Sequence, residues 1–334
     1  MILEISMKKY VAVAVLLLSS VSFVRGQDPQ FTQFFANPLY IAPSYAGASQ
    51  GHRAVLSYRD QWSMVPNMYR QLSVSYDVNI ASLRSGFGIF ALGDLAGDGL
   101  LGTIVAGLVY SYSVEMTSTW SFRPGIGLYY MQRGVNYDRL VFGDQLNTIP
   151  TSLTSIQLQG HSTVFDIDVS ASILFHSLNS WVGFTMDHVL RPKNSLYDKT
   201  QRMAFKYTLF GGHRFVINQL YRRGVDQSVT IAGTLRNQQK YFQLDIGGYW
   251  FRYPLLIGVW YRGLPFLKQT YFGSDAVSFM AGCRFDSFQV VYSYDLTVST
   301  FTPSTGGSHE ISLTYEAKIK PKQRKYRAPV CPPY

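Results

Sequence analysis

The sequence predicts an all-β protein: a transmembrane antiparallel up-and-down β-barrel of about fourteen strands in the outer membrane of a Gram-negative bacterium. Three features of the chain support this prediction: an N-terminal export segment, a series of two-residue hydrophobic alternations, and connections that alternate between short and long. Aromatic and charged residues each make up 15% of the 334 residues, whereas soluble domains contain about 25% charged residues. Aromatic girdles at both membrane surfaces are typical of barrels.

The first 26 residues are predicted to form a cleaved signal peptide. Lys8 and Lys9 precede an apolar stretch from Tyr10 to Val24, and small or modest residues stand at the expected cleavage position before Gln27. A retained anchor helix is the alternative, but the stretch is shorter than the about 20 residues that a membrane-spanning helix requires.

Two-residue alternation is the main signal for strands that have two unlike faces. It is clearest in 71–78, 103–115, 165–176 and 310–317. In the first of these, Leu72, Val74 and Tyr76 alternate with polar residues, so we assign the apolar set to lipid. The predicted strands are 53–59, 70–78, 86–94, 101–115, 119–131, 164–175, 181–188, 203–216, 226–236, 240–252, 255–262, 276–286, 288–298 and 308–319.

The connections provide an independent check on this strand count. If both ends of the mature chain are periplasmic, the even connections face the periplasm and should be short. Short even connections occur at 117–118, 177–180, 253–254 and 286–287, and long odd connections at 134–163, 189–202 and 263–275. Two connections break the pattern, 218–225 and 237–239. A soluble β-sandwich, the alternative fold, predicts no such parity.

The predicted organisation has four parts. Residues 1–26 are the signal peptide, residues 27–52 a periplasmic N-terminal segment, residues 53–319 the barrel, and residues 320–334 a basic, proline-rich periplasmic tail. We expect the protein in the outer membrane with both termini in the periplasm.

No residue pattern indicates catalysis, a cofactor or a metal site. The six histidines are scattered singly, without the spacing of metal ligands. Ser308, His309 and Glu310 are adjacent on a predicted strand, so they point to opposite faces and cannot form a nucleophile–base pair by themselves. Cys283 lies in a strand pattern and Cys331 lies in the tail. The sequence does not decide whether the two form a disulfide.

Charged residues on the inward face are candidate lumen residues. The set comprises Asp77, Glu115, Arg123, Asp166, Asp168, Lys206, Arg236, Asp245, Arg284 and Asp295. Charges of both signs either satisfy one another in a plugged lumen or line a water-filled one. The sequence leaves both open.

The tail is the most basic segment of the chain. It contains Lys322, Arg324, Lys325 and Arg327, and no acidic residue occurs from Ala317 to Tyr334. The tail is either a solvated end or a docking segment for an acidic periplasmic protein. We expect no nucleic acid partner at that location.

Several segments resemble the PorP/SprF family of Bacteroidota. The run QDPQFTQFFANPLY at 27–40, with Pro43–Gly47, is similar to the family's opening. Arg59-Asp60-Gln61-Trp62, in the first outer connection, resembles its arginine-x-glutamine-tryptophan segment. Ser293–Thr297 and Gly307–Leu313 resemble the family's closing pair of strands. Cys331-Pro332 resembles the family's frequent cysteine–proline ending.

The resemblance implies an outer-membrane barrel of the type IX secretion and gliding motility apparatus. Such a protein would be non-enzymatic and would support export or surface attachment of a secreted protein or adhesin with a C-terminal sorting domain. Its partners would be outer-membrane lipid and the periplasmic and outer-membrane proteins of the secretion machine. A passive, porin-like diffusion channel is the first alternative, and an outer-membrane enzyme is the second.

Overall fold

One closed antiparallel sheet forms the wall of the molecule. The structure, a computed structural model, describes residues 28–49, 51–65, 68–97, 100–140, 163–193, 195–196, 201–220, 224–239, 241–263, 276–298, 306–318 and 331. Its strands are β1 (Gly51–Gln61), β2 (Tyr69–Ile80), β3 (Ser85–Ala96), β4 (Leu101–Tyr112), β5 (Val114–Glu115), β6 (Ser121–Gly134), β7 (Thr163–His176), β8 (Ser180–Asp187), β9 (Lys206–Leu220), β10 (Gly224–Gln238), β11 (Tyr241–Arg252), β12 (Leu255–Gly263), β13 (Ala276–Phe285), β14 (Phe288–Thr297) and β15 (Ser308–Lys318).

Each strand pairs with its neighbours in sequence, and the pairing closes on itself. β1 pairs with β15 as well as with β2, and β4 pairs with β6. β5 has only two residues and continues β4 after an interruption at Ser113. The Ser113 N–H donates to the Arg84 carbonyl at 2.7 Å. The wall is therefore a fourteen-stranded antiparallel barrel, which confirms the predicted fold.

The two faces of the strands differ as the alternation predicts. Outward Leu108 and Ile167 are 65% and 53% exposed on the isolated chain, whereas inward Ser111 and Ser170 are buried. Apolar side chains of this kind cover the outer surface, where lipid replaces water as the neighbour. Among the described residues, no helix is long and apolar enough to cross a membrane.

The connections at one mouth are short. They are 81–84, 116–120, 177–179, 221–223, 253–254 and 286–287. We call this end the short-turn mouth and the opposite end the long-connection mouth. The predicted exception at 218–225 disappears, because β9 and β10 extend to Leu220 and from Gly224. The exception near 237–239 remains.

The N-terminal segment departs from the prediction. The sequence predicts a periplasmic segment over 27–52, but residues 28–49 lie inside the barrel, and β1 already begins at Gly51. This lumen plug contains two 3-10 turns, Phe34–Ala36 and Pro43–Tyr45, and the short helix α1 (Pro38–Ile41). Its apolar side chains would otherwise face water, and the inward serines of the wall leave room for them.

The first described residue and the end of the last strand lie at different mouths. Asp28 lies beside the ends of β8, β9 and β10 at the long-connection mouth, whereas β15 ends beside Gly51 at the short-turn mouth. The expectation that both termini are periplasmic stays a prediction, because residues 1–27 and 332–334 lie outside the described residues.

Candidate functional site

Aromatic side chains of the plug form the centre of the buried core. The Phe34 ring meets the Trp260 ring edge-on at 4.8 Å between centroids, and Phe35 stacks on the same ring at 5.8 Å. On another side, Tyr40 stacks on Phe90 at 5.9 Å. Aromatic contacts of this kind add to the large apolar area that the rings bury. The plug is therefore packed against the wall like the core of a soluble domain.

A cluster of charges joins the plug to the seam where the first and last strands meet. We call Thr32, Gln33, Arg59, Asp295 and Glu310 the seam cluster. The Arg59 guanidinium contacts Asp295 at 2.8 Å and Glu310 at 3.1 Å. The backbone N–H groups of Thr32 and Gln33 donate to the two Glu310 oxygens at 2.7 and 3.0 Å. Glu310 thus accepts from both the wall and the plug.

Further contacts fix the side chains of Thr32 and Gln33. The Thr32 hydroxyl donates to Asp295 at 2.6 Å, and the Gln33 amide donates to the Ser293 hydroxyl at 3.0 Å. The ion pairs continue along the wall from Asp295 through Arg262 and Asp245 to Arg236. Buried charges of this kind are stable only when each is paired and hydrogen-bonded, as here.

A second cluster holds the start of the plug at the long-connection mouth. We call Asp28, Asp168, Asp187, His188, Lys206 and Gln238 the anchor cluster. His188 bridges Asp28 and Asp168, at 2.8 and 2.7 Å from its two ring nitrogens. Lys206 bridges Asp28 and Asp187, at 2.9 and 3.1 Å.

The electrostatics of the anchor cluster favour the charged forms of His188 and Asp28. Burial by itself would lower the pKa of the His188 imidazole, but Asp28 and Asp168 raise it to about 10. Burial would likewise raise the pKa of Asp28, yet His188 and Lys206 hold it well below its usual range. At neutral pH the imidazolium therefore donates to a carboxylate on each side.

Near the short-turn mouth the plug approaches the wall backbone closely. The Asp77 carboxylate binds Arg53 at 2.8 Å and also accepts from the Gly47 N–H at 2.8 Å. Gly47 has a φ of +62°, which favours glycine. A Cβ added to Gly86 of β3 would lie 1.9 Å from the Ala46 carbonyl oxygen. Glycine at this wall position is what allows the plug to pass.

A pocket opens between the plug and the wall on the short-turn side. Its empty volume is about 480 Å³, including space open to solvent. Phe35, Ala36 and Pro38 of the plug form one side, and Arg53, Arg284 and Glu316 are among the wall residues. The pocket combines an aromatic floor with charges of both signs.

Most of the predicted lumen charges do lie inside the barrel. Asp77, Arg123, Asp168, Lys206, Asp245 and Asp295 are buried, and Arg236 and Arg284 are half-buried. Asp166 is half-buried at the long-connection mouth, where it accepts from the Lys193 N–H at 2.9 Å. Glu115, predicted to be lumenal, is exposed instead, because β5 lies at the rim of the short-turn mouth. The inward charges mainly pair with one another and with the plug.

The other predicted features have different outcomes. Glu310 and Ser308 point inward, whereas His309 contacts the Tyr292 hydroxyl on the outer surface at 2.7 Å, so the three do not converge. Cys283 and Cys331 are both free thiols. Lys322, Arg324, Lys325 and Arg327 of the tail lie outside the described residues. Within the described ranges, no group of three or more His, Cys, Asp or Glu residues could hold a metal ion.

The sequence pattern does not predict the seam cluster, although each of its members belongs to a segment described above. The sequence places Arg59 in the first outer connection, whereas β1 runs to Gln61 and buries the Arg59 side chain. It treats Glu310 only as a neighbour of Ser308 and His309 on a predicted strand. Two features of the sequence could have indicated the cluster. The first and last strands each carry a charged residue at an inward-facing position, and an apolar run precedes the first strand.

Comparison with known proteins points to one family. The family model described as "Type IX secretion system membrane protein PorP/SprF" matches residues 24–315. A search of curated protein sequences found no match.

The solved structures that this chain matches have low sequence identity to it. The CymD monoaromatic hydrocarbon channel is 10% identical, with a TM-score of 0.48, and the match covers 85% of this chain and 93% of that chain. The P. putida toluene transporter TodX is 13% identical, with a TM-score of 0.46 and coverages of 84% and 93%. BamA from Haemophilus ducreyi, lacking POTRA domains 1-3, is 7% identical, with a TM-score of 0.42 and coverages of 80% and 70%.

Proposed function

Because this chain belongs to the PorP/SprF family of type IX secretion system membrane proteins, we propose that it supports export or surface attachment of a secreted protein through protein–protein contacts. The protein acts without catalysis, as an outer-membrane component of the secretion machine. The secreted partner is a protein or adhesin with a C-terminal sorting domain. Periplasmic and outer-membrane proteins of the machine are its other partners.

The observation that carries this proposal is the occupied lumen. Residues 28–49 cross the barrel from the anchor cluster at one mouth to Ser49 at the other, where the Ser49 carbonyl accepts from Asn79 at 3.1 Å. The plug makes buried ion pairs and aromatic contacts along this path. Passage of a protein would have to break them, so the outer surface, the mouths and the connections are the parts that engage partners.

A disulfide that locks the plug tests this proposal. Ser44 of the plug and Ser172 of β7 are adjacent, because the Ser44 N–H donates to the Ser172 hydroxyl at 2.8 Å. Ser44→Cys and Ser172→Cys would be combined in a Cys283→Ser/Cys331→Ser background, and display of the secreted partner would be measured with and without reductant. Each single substitution is the matched control.

We expect the oxidised, locked protein to support display as well as the single variants do. Loss of display that reductant restores would instead show that the plug must move to let a protein pass.

The orientation in the membrane is part of the proposal. The long-connection mouth faces the cell exterior, as in barrels whose long loops are extracellular. In the same cysteine-free background, Ser195→Cys should react with an impermeant maleimide on intact cells, whereas Asn179→Cys should react only after the outer membrane is opened. The reverse pattern would invert the barrel.

The passive diffusion channel stays the second candidate, because the pocket beside Phe35 opens to solvent. It predicts ion conductance by the wild-type protein in planar bilayers.

A further inference from the structure

Three aromatic rings follow one another along the outer face of the wall toward the long-connection mouth. We call Phe184, Tyr207 and Phe205 the aromatic column. Phe184 of β8 and Tyr207 of β9 both point outward, and their rings stack with 6.2 Å between centroids. The Phe205 ring lies 6.3 Å from the Tyr207 ring, just beyond the end of β9. The column therefore leads from the lipid-facing wall to the rim of the mouth.

The wall around the column is apolar. Outward Ile167 of β7 and Leu209 of β9 are exposed on the isolated chain, and so is Leu190 in the connection between β8 and β9. Aromatic rings concentrate where the wall of a barrel meets the polar surface of the bilayer. The upper end of the column, at Phe205, thus marks the level of the lipid headgroups.

A cation stands directly above this end of the column. The Arg191 guanidinium lies 5.5 Å from the centroid of the Phe205 ring, a favourable position for a cation on an aromatic face. Its Nε donates to the Met203 carbonyl at 3.5 Å, and the side chain is exposed. Arg191 therefore lies on the outer side of the mouth.

Two further cations are held next to Arg191 by the backbone of the same connection. Lys193 and Arg202 pair as an antiparallel bridge, and the Arg202 guanidinium donates to the Arg191 carbonyl at 3.2 Å. The Met203 N–H donates to the Pro192 carbonyl at 2.9 Å and fixes the same pairing. Both cationic side chains are exposed. We call Arg191, Lys193 and Arg202 the basic rim.

The charge of the basic rim is not neutralised by the wall. Within the described part of the chain, no carboxylate forms an ion pair with any of the three cations. Asp166 of β7 lies beside the rim, but its two carboxylate oxygens accept from the backbone N–H groups of Ile167 and Lys193, each at 2.9 Å. The rim thus presents three exposed positive charges above a lipid-facing aromatic surface.

We propose that the basic rim and the aromatic column together bind a phosphate-bearing lipid of the adjoining leaflet. The phosphate lies on the Arg191, Lys193 and Arg202 side chains, and the acyl chains run down the wall along Tyr207 and Phe184. Guanidinium groups bind phosphate oxygens with two parallel hydrogen bonds. Each cation close to a membrane surface strengthens the binding of an anionic lipid about fivefold.

The contacts favour a lipid over an acidic segment of a partner protein. Such a segment would use the same cations, but it would have no need of rings that continue down the lipid-facing wall. The inference does not depend on the proposed secretion function. The proposed orientation decides only which leaflet supplies the lipid.

Lipid binding by the full-length protein in a neutral detergent tests the proposal. The protein would be titrated with phosphatidic acid in mixed micelles, and with the diacylglycerol that has the same acyl chains and no phosphate. Arg191→Gln/Lys193→Gln/Arg202→Gln should bind phosphatidic acid about a hundredfold more weakly than the wild type. The diacylglycerol should bind the wild type no better than it binds this variant. Heat-modifiable migration shows that the variant is folded.

A triple variant at the other mouth is the matched control for charge. Arg222→Gln/Arg223→Gln/Arg252→Gln removes the same number of positive charges, from the β9–β10 connection and the end of β11. It should keep the wild-type affinity for phosphatidic acid. Equal losses in the two triple variants would overturn the proposal, because net charge alone would then attract the lipid.

The part of the aromatic column is tested separately. Phe205→Ala should weaken the binding of phosphatidic acid several-fold, whereas Phe242→Ala, on the outward face of β11, should leave it unchanged. Unchanged binding in Phe205→Ala, or wild-type lipid affinity of the rim variant, would overturn the proposal. A rim variant that keeps its lipid affinity and loses display of the secreted partner would assign the rim to a protein instead.

Discussion

The backbone N–H of Thr32 donates a 2.7 Å hydrogen bond to Glu310 and so joins the start of the described chain to the last strand of the barrel. The same Glu310 oxygen contacts Arg59 of the first strand at 3.1 Å. One carboxylate therefore links the plug, β1 and β15 at the position where the barrel closes.

Removal of this carboxylate should destabilise the barrel strongly. Glu310→Ala leaves the buried Arg59 with one carboxylate partner fewer and leaves two plug N–H groups without an acceptor. Loss of one partner of a buried ion pair typically costs about 3–5 kcal/mol. The free energy of unfolding, followed by heat-modifiable migration in urea, is the measurement.

Glu316→Ala is the matched control, because Glu316 lies on the same inward face of β15 but is only half-buried. It should cost much less than Glu310→Ala. Similar losses in the two variants would argue against a special role of the seam cluster.

A methyl group on the inner wall should displace the plug without unfolding the barrel. In Gly86→Ala, the added Cβ would lie 1.9 Å from the Ala46 carbonyl oxygen, so the plug backbone has to shift. We expect the plug to become sensitive to added protease while the barrel stays heat-modifiable. Gly93→Ala is the control, since nothing lies within 4 Å of a Cβ at that position. A Gly86→Ala protein as resistant as Gly93→Ala would mean that the plug does not pass there.

The contribution of His188 should depend on pH. Its pKa is raised from 6.5 to about 10 in the folded protein, so its stabilising effect is complete below the unfolded value and is lost as the pH rises through the folded value. The difference in unfolding free energy between wild type and His188→Gln should therefore be large at neutral pH and shrink as the pH approaches about 10. A difference that stays constant over this range would show that the imidazole acts only by packing.

Arginine substitutions on the two faces of β4 should have different effects: one should block assembly into the membrane and the other should displace the plug. Leu108→Arg places a cation on the lipid face, at a cost of about 2–4 kcal/mol near the bilayer midplane, and should block assembly into the membrane. Ser111→Arg lies under the plug, where the Ser111 hydroxyl donates to the Ala46 carbonyl at 2.7 Å. It should give an assembled barrel with a protease-sensitive plug, as gels and limited proteolysis would show. The same outcome in both variants would contradict the assigned faces.

The wall of the barrel could be predicted because each strand carries its own signal. In β2, Leu72, Val74 and Tyr76 face outward and Ser73 and Ser75 inward, as a period of two requires. The closing pairs β1–β15 and β4–β6 then follow from strand count and neighbour pairing. Local periodicity was enough for this part.

The plug could not be predicted in the same way, because it has no regular period. Its contacts join residues that are distant in sequence, such as Thr32 and Glu310, and alternation gives no information about such pairs. Two signals were nevertheless present. The run from Phe31 to Tyr45 is too apolar for a solvated segment, and the inward wall positions are occupied by small serines such as Ser73 and Ser172.

Ion conductance in planar bilayers tests the central claim, that residues 28–49 fill the lumen, most directly. The wild-type protein should show little or no conductance, whereas a protein lacking residues 28–49 and still heat-modifiable should form open channels. Equal, large conductance by the two proteins would contradict the plugged lumen and favour a passive diffusion channel.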